Sequence, residues 1–284
     1  MKPKNIKPEN LKPETLNEKK KQLAKCLKPF GSLLVAFSGG ADSSFLLAAA
    51  KEALGDNVMA VTMDSAIHPA AEKKEAAEFA KKIGAAHEII SSNEMADPDF
   101  IANRADRCYI CKKNRFKQIR ALADAFNIPH IAHGENMDDL NDFRPGFKAS
   151  LELNIAAPLI DAGMRKDDIR RLSRQMGLTT WNKPATGCLA TRLPCNTPIT
   201  PAALSMVEQG EAILRAAGFP ACRVRHHGQM ARIEMAPDEF GKMIEPETAK
   251  KTAAAFKKIG YVYISLDLEG YARGRMNRPG PQRP

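Results

Sequence analysis

Two sets of residues in this chain have the types and spacing that chemistry requires. The first is Ser38-Gly39-Gly40-Ala41-Asp42-Ser43, which follows directly on the apolar run Leu33 to Phe37. Paired glycines let a backbone turn sharply and come close to an anion. The helix expected from Ala41 to Leu54 aims its first amides and positive dipole end at the same point. Ser38 and Ser43 add hydroxyl donors, and Asp42 suits the Mg²⁺ that accompanies phosphates. The chemistry predicted is nucleotide binding. The loop lacks the Lys-Ser/Thr ending of kinase and GTPase P-loops, so a different cut of ATP from γ-phosphoryl transfer is implied.

The second set is sulfur. Arg107-Cys108-Tyr109-Ile110-Cys111-Lys112 places two thiols one turn apart, in a loop expected to lead into a helix from Lys112 to Phe126, so both reach a single metal or cluster. Arg107, Lys112, Lys113 and the helix N-terminus favour the thiolates. Cys188, in Thr186-Gly187-Cys188-Leu189-Ala190-Thr191-Arg192, is expected at the rim of the nucleotide crevice. Three cysteines leave one coordination site open, as in a [4Fe–4S] cluster with one exposed iron. A structural zinc knuckle completed by His or Cys195 and a catalytic disulfide couple are the alternatives. Cys26 and Cys222 read as packing residues, and Cys195 as a spare thiol or a fourth ligand.

These residues need a scaffold that gathers them. Strands at Leu33 to Phe37, Val58 to Met63, Ala86 to Ile90 and Ile128 to Gly134 alternate with helices at Ala41 to Leu54, Pro69 to Ile83 and Lys112 to Phe126. The pattern predicts an α/β fold: a parallel sheet with helices on both faces and ligands at the carboxyl ends of its strands. Ser38 to Ser43, Asp64-Ser65 and Gly134-Glu135-Asn136 all lie just past such ends and are expected to converge on one crevice. A helix from Arg165 to Met176 follows, and the proline-rich stretch Asn182 to Pro198 is expected to close this domain near residue 200. A smaller α+β domain over 201–284 would hold a helix from Pro201 to Ala217, strands at Cys222 to Val224, Ala231 to Met235 and Tyr261 to Leu266, and a helix from Glu245 to Ile259.

Composition bounds the rest. The 284 residues are 44% hydrophobic, enough for one large or two ordinary domains. No apolar run is long enough to span a membrane, and the Lys/Pro/Glu-rich start is no secretory signal, so a cytoplasmic protein is expected. Of the formal charge of +10, six arise in residues 1–28, which carry nine Lys against three Glu. That stretch is expected to be a solvated, partly disordered basic tail leading into a helix from Leu16 to Leu27, with the nucleotide-binding domain over 29–200. The remaining excess gathers at Arg223, Arg225, Arg273, Arg275 and Arg278 and suits a compact anionic ligand as well as a polynucleotide, though nucleic acid is not the expected partner.

Ser-Gly-Gly-x-Asp-Ser resembles the signature of PP-loop ATP pyrophosphatases, in which the loop grips the pyrophosphate that leaves when a substrate oxygen is adenylylated. Further motifs follow in order: Gly134-Glu135-Asn136-Met137-Asp138-Asp139, Asp142-Phe143-Arg144-Pro145-Gly146, Lys183 to Arg192, Arg223-Val224-Arg225-His226-His227, and Gly270 to Asn277. With these the chain resembles the LarE-type sulfur transferases from about Pro29 to Asn277. The resemblance implies that ATP adenylylates a carboxylate of pyridinium-3,5-biscarboxylic acid mononucleotide and that sulfur then displaces AMP to leave a thiocarboxylate, a step in making a nickel-pincer nucleotide. One branch of that family gives up a sulfur of its own cysteine. The matching position here is Gly187, with Cys188 one residue on, which with Cys108 and Cys111 favours the branch that carries sulfur on a cluster.

The reading of the residues runs parallel. Ser38, Gly39, Gly40, Asp42, Ser43, Asp64 and Gly134 would bind ATP and Mg²⁺, and Cys188 would carry sulfur chemistry. Arg192 would neutralise charge beside the acyl-adenylate. Arg223 and Arg225, two apart on a strand, make a fork for the substrate phosphate or else an exposed polar face. Glu211 reaches the crevice or stays on the surface. A homo-oligomer is expected. A tRNA thiolation enzyme, a non-catalytic nucleotide-sensing module and an amide-forming synthase are the competing functions. The last gives the three cysteines no role.

Overall fold

A computed structural model describes residues 15–141, 145–184 and 186–272. Its elements in chain order are α1 (Leu16–Leu27), β1 (Leu33–Ala36), α2 (Ala41–Leu54), β2 (Val58–Asp64), α3 (Ala70–Lys82), β3 (Ala86–Ser91), α4 (Pro98–Ile101), α5 (Arg107–Ala125) and β4 (His130–His133). There follow α6 (Pro145–Glu152), α7 (Pro158–Asp161), α8 (Lys166–Gln175), α9 (Pro201–Ala216), β5 (Arg223–His227), β6 (Met230–Glu234), α10 (Phe240–Ile244), α11 (Pro246–Lys258) and β7 (Tyr263–Leu266).

The first four strands form one parallel sheet in the order β3-β2-β1-β4. Because all four run the same way, their carboxyl ends share one edge, and the expected α/β fold is realised. β1 is central, and its side chains alternate between two cores as the strand pleat requires. Leu33 and Val35 pack with Leu46 of α2 and Ile169 of α8, whereas Leu34 packs with Phe116 and Ile119 of α5.

Helix α1 belongs to the first of these cores. Its Thr15–Glu18 capping box fixes the start, and Leu23 and Leu27 are fully buried. Leu16 to Leu27 is therefore a layer of the fold, while residues 1–14 lie outside the described residues.

The second sheet, β5-β6-β7, is mixed: β5 and β6 are antiparallel, β6 and β7 parallel. Leu214, Val224, Ile233, Phe256 and Tyr261 form its core beneath α9 and α11. A third cluster, including Ile67, Phe100, Leu189, Leu193 and Val207, ties the loop after β2 to the segment around Cys188 and to α9. Cys111 and Cys188 both pack against it.

One boundary matters for the chemistry. Helix α5 begins at Arg107, ahead of the expected start at Lys112, so Cys108 and Cys111 lie on its opening turns and not in a preceding loop.

Candidate active site

The glycine loop is built by its neighbours. Gly39 takes a φ of +70°, where a side chain is strained, and a Cβ there would stand 3.2 Å from the Ala76 Cβ of α3. Ser38 and Ser43 hydroxyls lie 3.1 Å apart, and the Ser43 hydroxyl donates to the Gly40 carbonyl at 3.2 Å. No side chain caps α2 at Gly40, and the N-terminal end of the helix, where its dipole is positive, faces this loop. Across the loop, a Cβ on Gly134 would stand 2.8 Å from the Ser43 amide nitrogen, so only glycine lets the exit of β4 pass this close to α2.

This loop forms one wall of a cavity of about 540 Å³ that opens along the carboxyl edge of the parallel sheet. Ser38, Gly40, Asp42, Ser43, Asp64 and Gly134 all line it, and Gly39 stands just behind, its carbonyl accepting from the Lys183 ammonium at 3.0 Å. Asp64 is paired with Lys73 at 2.6 Å. Phe37, Val61, Met63, Phe116 and Ile119 supply an apolar floor, whereas Lys112, Arg115, Lys166, Arg170 and Lys183 supply cations. This combination suits a flat base joined to phosphates.

On the far wall, Thr186 and Gly187 line the same cavity, and Cys188 follows immediately. Thr186 donates to Glu72 at 2.5 Å. Cys108 and Cys188 stand with Cys111 around the Arg107 guanidinium: burial works against that charge, but the three sulfurs together raise its pKa. Arg107 also donates to the Ala190 carbonyl at 3.0 Å and to the Cys108 sulfur at 3.7 Å. Burial pushes the Cys111 thiol up to about 12, against the pull of Arg115. The expected bias toward thiolates therefore does not extend to Cys111 in this geometry. Among the described residues, no group of three or more His, Cys, Asp or Glu side chains is arranged to hold a metal ion.

The arginines lie behind this wall. Arg192 is buried, and its guanidinium binds Glu211 at 2.8 and 3.2 Å and donates to the Cys188 carbonyl at 3.0 Å. Arg225 binds Glu234 at 2.7 Å and donates to the Thr191 carbonyl at 3.2 Å. Arg223 donates to the Cys222 carbonyl at 2.7 Å and lies over the Tyr271 ring at 5.0 Å. Arg223 and Arg225 are both buried, so the exposed-face alternative does not apply. Glu211, 2% exposed, is likewise interior. None of Arg192, Arg223 and Arg225 lines the cavity itself. Arg273, Arg275 and Arg278 lie outside the described residues.

Several cavity residues escaped the sequence reading. Arg115 stands at i+4 from Cys111 on α5, a spacing that puts both on one helix face and could have flagged it. Glu94, just past the end of β3, follows the same strand-end rule that located Asp64. His68 sits beside Arg115, its ring nitrogens 3.3 and 3.4 Å from the guanidinium, and burial followed by the Arg115 charge lowers its pKa to about 4.

A sheet edge with a glycine loop, an uncapped helix N-terminus and a mixed apolar and cationic cavity defines an ATP-binding PP-loop enzyme, and the PP-loop domain family matches residues 13–143. The chain is 34% identical over 263 residues to the pyridinium-3,5-bisthiocarboxylic acid mononucleotide synthase of Lactiplantibacillus plantarum, covering 92% of this chain and 95% of that one, and it belongs to that family. It is also 37% identical over 252 residues to an uncharacterized protein of Synechocystis, covering 88% of this chain and 94% of the relative. An uncharacterized protein of Methanocaldococcus jannaschii is 30% identical over 244 residues, or 84% and 90% of the two chains. No helix among the described residues is long and apolar enough to cross a membrane.

Proposed function

We propose that this protein is an ATP-dependent sulfur transferase that converts a carboxylate of pyridinium-3,5-biscarboxylic acid mononucleotide into a thiocarboxylate, in assembly of a nickel-pincer nucleotide. The observation that carries the reading is the shared cavity: its one wall is the Ser38–Ser43 loop, and its other wall runs through Thr186 and Gly187 into Cys188. The printed activity of the Lactiplantibacillus relative supplies the acceptor.

A carboxylate oxygen is a poor leaving group, so it must be activated before sulfur can replace it. Attack of that oxygen on the α-phosphorus of ATP expels pyrophosphate and gives an acyl-adenylate. Ser38, Gly39, Gly40 and Ser43 would hold the departing pyrophosphate and Asp42 would hold Mg²⁺, which would offset the phosphate charge, with Asp64 and Gly134 shaping the rest of the nucleotide site. A sulfur nucleophile then attacks the acyl carbon, and AMP leaves with the bonding electrons. Arg192 fixes the Gly187 and Cys188 carbonyls, so that the sulfur wall keeps its place, and adds positive charge behind the acyl-adenylate. Arg223 and Arg225 serve the phosphate of the acceptor from the second sheet.

Cys108, Cys111 and Cys188, whose sulfurs all act on the Arg107 guanidinium, would be the ligands of a [4Fe–4S] cluster in this reading, and they would have to draw together from their present arrangement to hold it. Such a cluster leaves one iron open to a sulfide ligand and holds its cysteines deprotonated, which would override the burial that keeps Cys111 a thiol. In this reading residues 29–200 form the nucleotide domain and 201–284 a substrate and oligomerisation domain of a cytoplasmic homo-oligomer.

Intact-mass measurement of the protein before and after turnover with ATP and the acceptor tests the sulfur source. An unchanged polypeptide mass agrees with a renewable carrier. Loss of one sulfur from Cys188 would show sacrifice of the chain's own cysteine and remove the cluster.

A further inference from the structure

Glu94 is a carboxylate with 2% side-chain exposure, placed where the nucleotide cavity and the sulfur wall meet. It takes donors from both. On the cavity side the Ser65 hydroxyl donates to Oε2 at 2.7 Å. At the boundary the Arg115 Nε lies 3.4 Å from Oε1. On the sulfur side the Cys111 thiol faces Oε1 at 4.0 Å, the outer limit of a sulfur hydrogen bond. Ser65, His68 and Arg115 line the cavity, whereas Cys111 does not.

The arrangement is fixed by three elements. Ser65 follows the end of β2, Glu94 follows the end of β3, and Cys111 and Arg115 share one face of α5. Arg115 is held from two directions, by Glu94 through Nε and by the neutral His68 ring, which accepts from one of the two Nη groups through its unprotonated nitrogen. An anion entering the cavity meets this guanidinium and competes for it with Glu94. Any shift of Arg115 or Ser65 then changes the number of donors on a carboxylate that is almost wholly buried, and Cys111 is the remaining donor.

We propose that Glu94 is a positioning residue that transmits nucleotide occupancy of the cavity to the Cys111 sulfur, so that sulfur chemistry is matched to the loaded state. The inference deepens the sulfur-transfer reading and rests on it for its purpose, but the coupling is measurable without turnover.

The full chain, reduced and freed of metal, is labelled with iodoacetamide, and the rate at each cysteine is read by peptide mass spectrometry with and without saturating α,β-methylene-ATP. The nucleotide is expected to change the Cys111 rate by about fivefold or more, the scale of a modest coupling energy, and to leave the exposed Cys195 rate unchanged. In Glu94→Gln the nucleotide effect at Cys111 is expected to vanish at saturation. Arg115→Lys, which keeps the charge but loses the Nε donor, serves as an independent variant and is expected to weaken the effect. A nucleotide effect of equal size in both variants would overturn the proposal, because direct shielding of Cys111 by the ligand would explain it. A wild-type rate indifferent to nucleotide would overturn it as well. Either failure leaves acceptor-dependent pyrophosphate release intact, whereas absence of that release would overturn the sulfur-transfer reading instead.

Discussion

Arg192 and Glu211 form a two-pronged ion pair in which both side chains are 2% exposed, and the same guanidinium reaches back to the Gly187 and Cys188 carbonyls. Glu211 further accepts from the Val224 amide at 3.3 Å, so one buried pair ties the sulfur loop, α9 and β5 together. A buried charge left without its partner is costly. Glu211→Ala is expected to lower unfolding free energy by about 3–5 kcal/mol, as read by denaturant titration. Replacing both members, as Arg192→Met with Glu211→Leu, is expected to recover a large part of that loss while sulfur transfer stays impaired, because the guanidinium that links the Gly187 and Cys188 carbonyls is gone.

Gly134→Ala probes the nucleotide wall. The added Cβ would meet the Ser43 backbone at 2.8 and 2.9 Å, and neither atom belongs to a flexible side chain. β4 and α2 must then separate. ATP affinity, measured by calorimetry, is expected to weaken by about tenfold or more, equivalent to about 1.4 kcal/mol.

Asp42→Asn removes a charge at the mouth of the anion site while preserving shape. Acceptor-dependent pyrophosphate release is expected to fall by about a hundredfold or more. Unchanged release at limiting Mg²⁺ would remove Asp42 from the metal's environment.

Acid should expose the buried histidines. Burial, then Arg115, holds His68 down to about 4, and burial, then Lys112, holds His133 down to about 3. Both are neutral when folded and bind protons on unfolding below their ordinary value of 6.5. Their contribution is thus complete above that value and is lost as the pH falls from there toward their folded values. Each adds a slope of at most about 1.4 kcal/mol per pH unit. Unfolding free energy measured between pH 7 and pH 4, conditions bracketing about three units, is expected to decline, and His68→Gln is expected to flatten the curve.

The sheet and the loop were legible in the sequence because local signals agreed: Leu33-Leu34-Val35 is apolar on both faces, and the strand-to-glycine-to-helix order fixes where the crevice must open. The start of α5 was not, since Arg107 to Cys111 carries no capping residue that marks a helix start, and Asp106, the residue before the helix, makes no side-chain cap. The roles of Arg192 and Glu211 were hidden for another reason. Nineteen residues separate them, and nothing local distinguishes an interior ion pair from two surface charges. Position alone could have flagged Glu94 and Arg115, but their meeting could not be foreseen, because it joins the turn after β3 to the middle of α5 across the fold.

The central claim is that ATP activation and sulfur delivery are separate duties performed on one cavity. Paired assays of pyrophosphate release and thiocarboxylate formation, with ATP, Mg²⁺, a sulfur source and pyridinium-3,5-biscarboxylic acid mononucleotide, test it most directly when Cys188→Ala is compared with wild type. The account predicts that the variant still releases pyrophosphate when the acceptor is present and forms no thiocarboxylate. Thiocarboxylate produced at the wild-type rate by Cys188→Ala would contradict it.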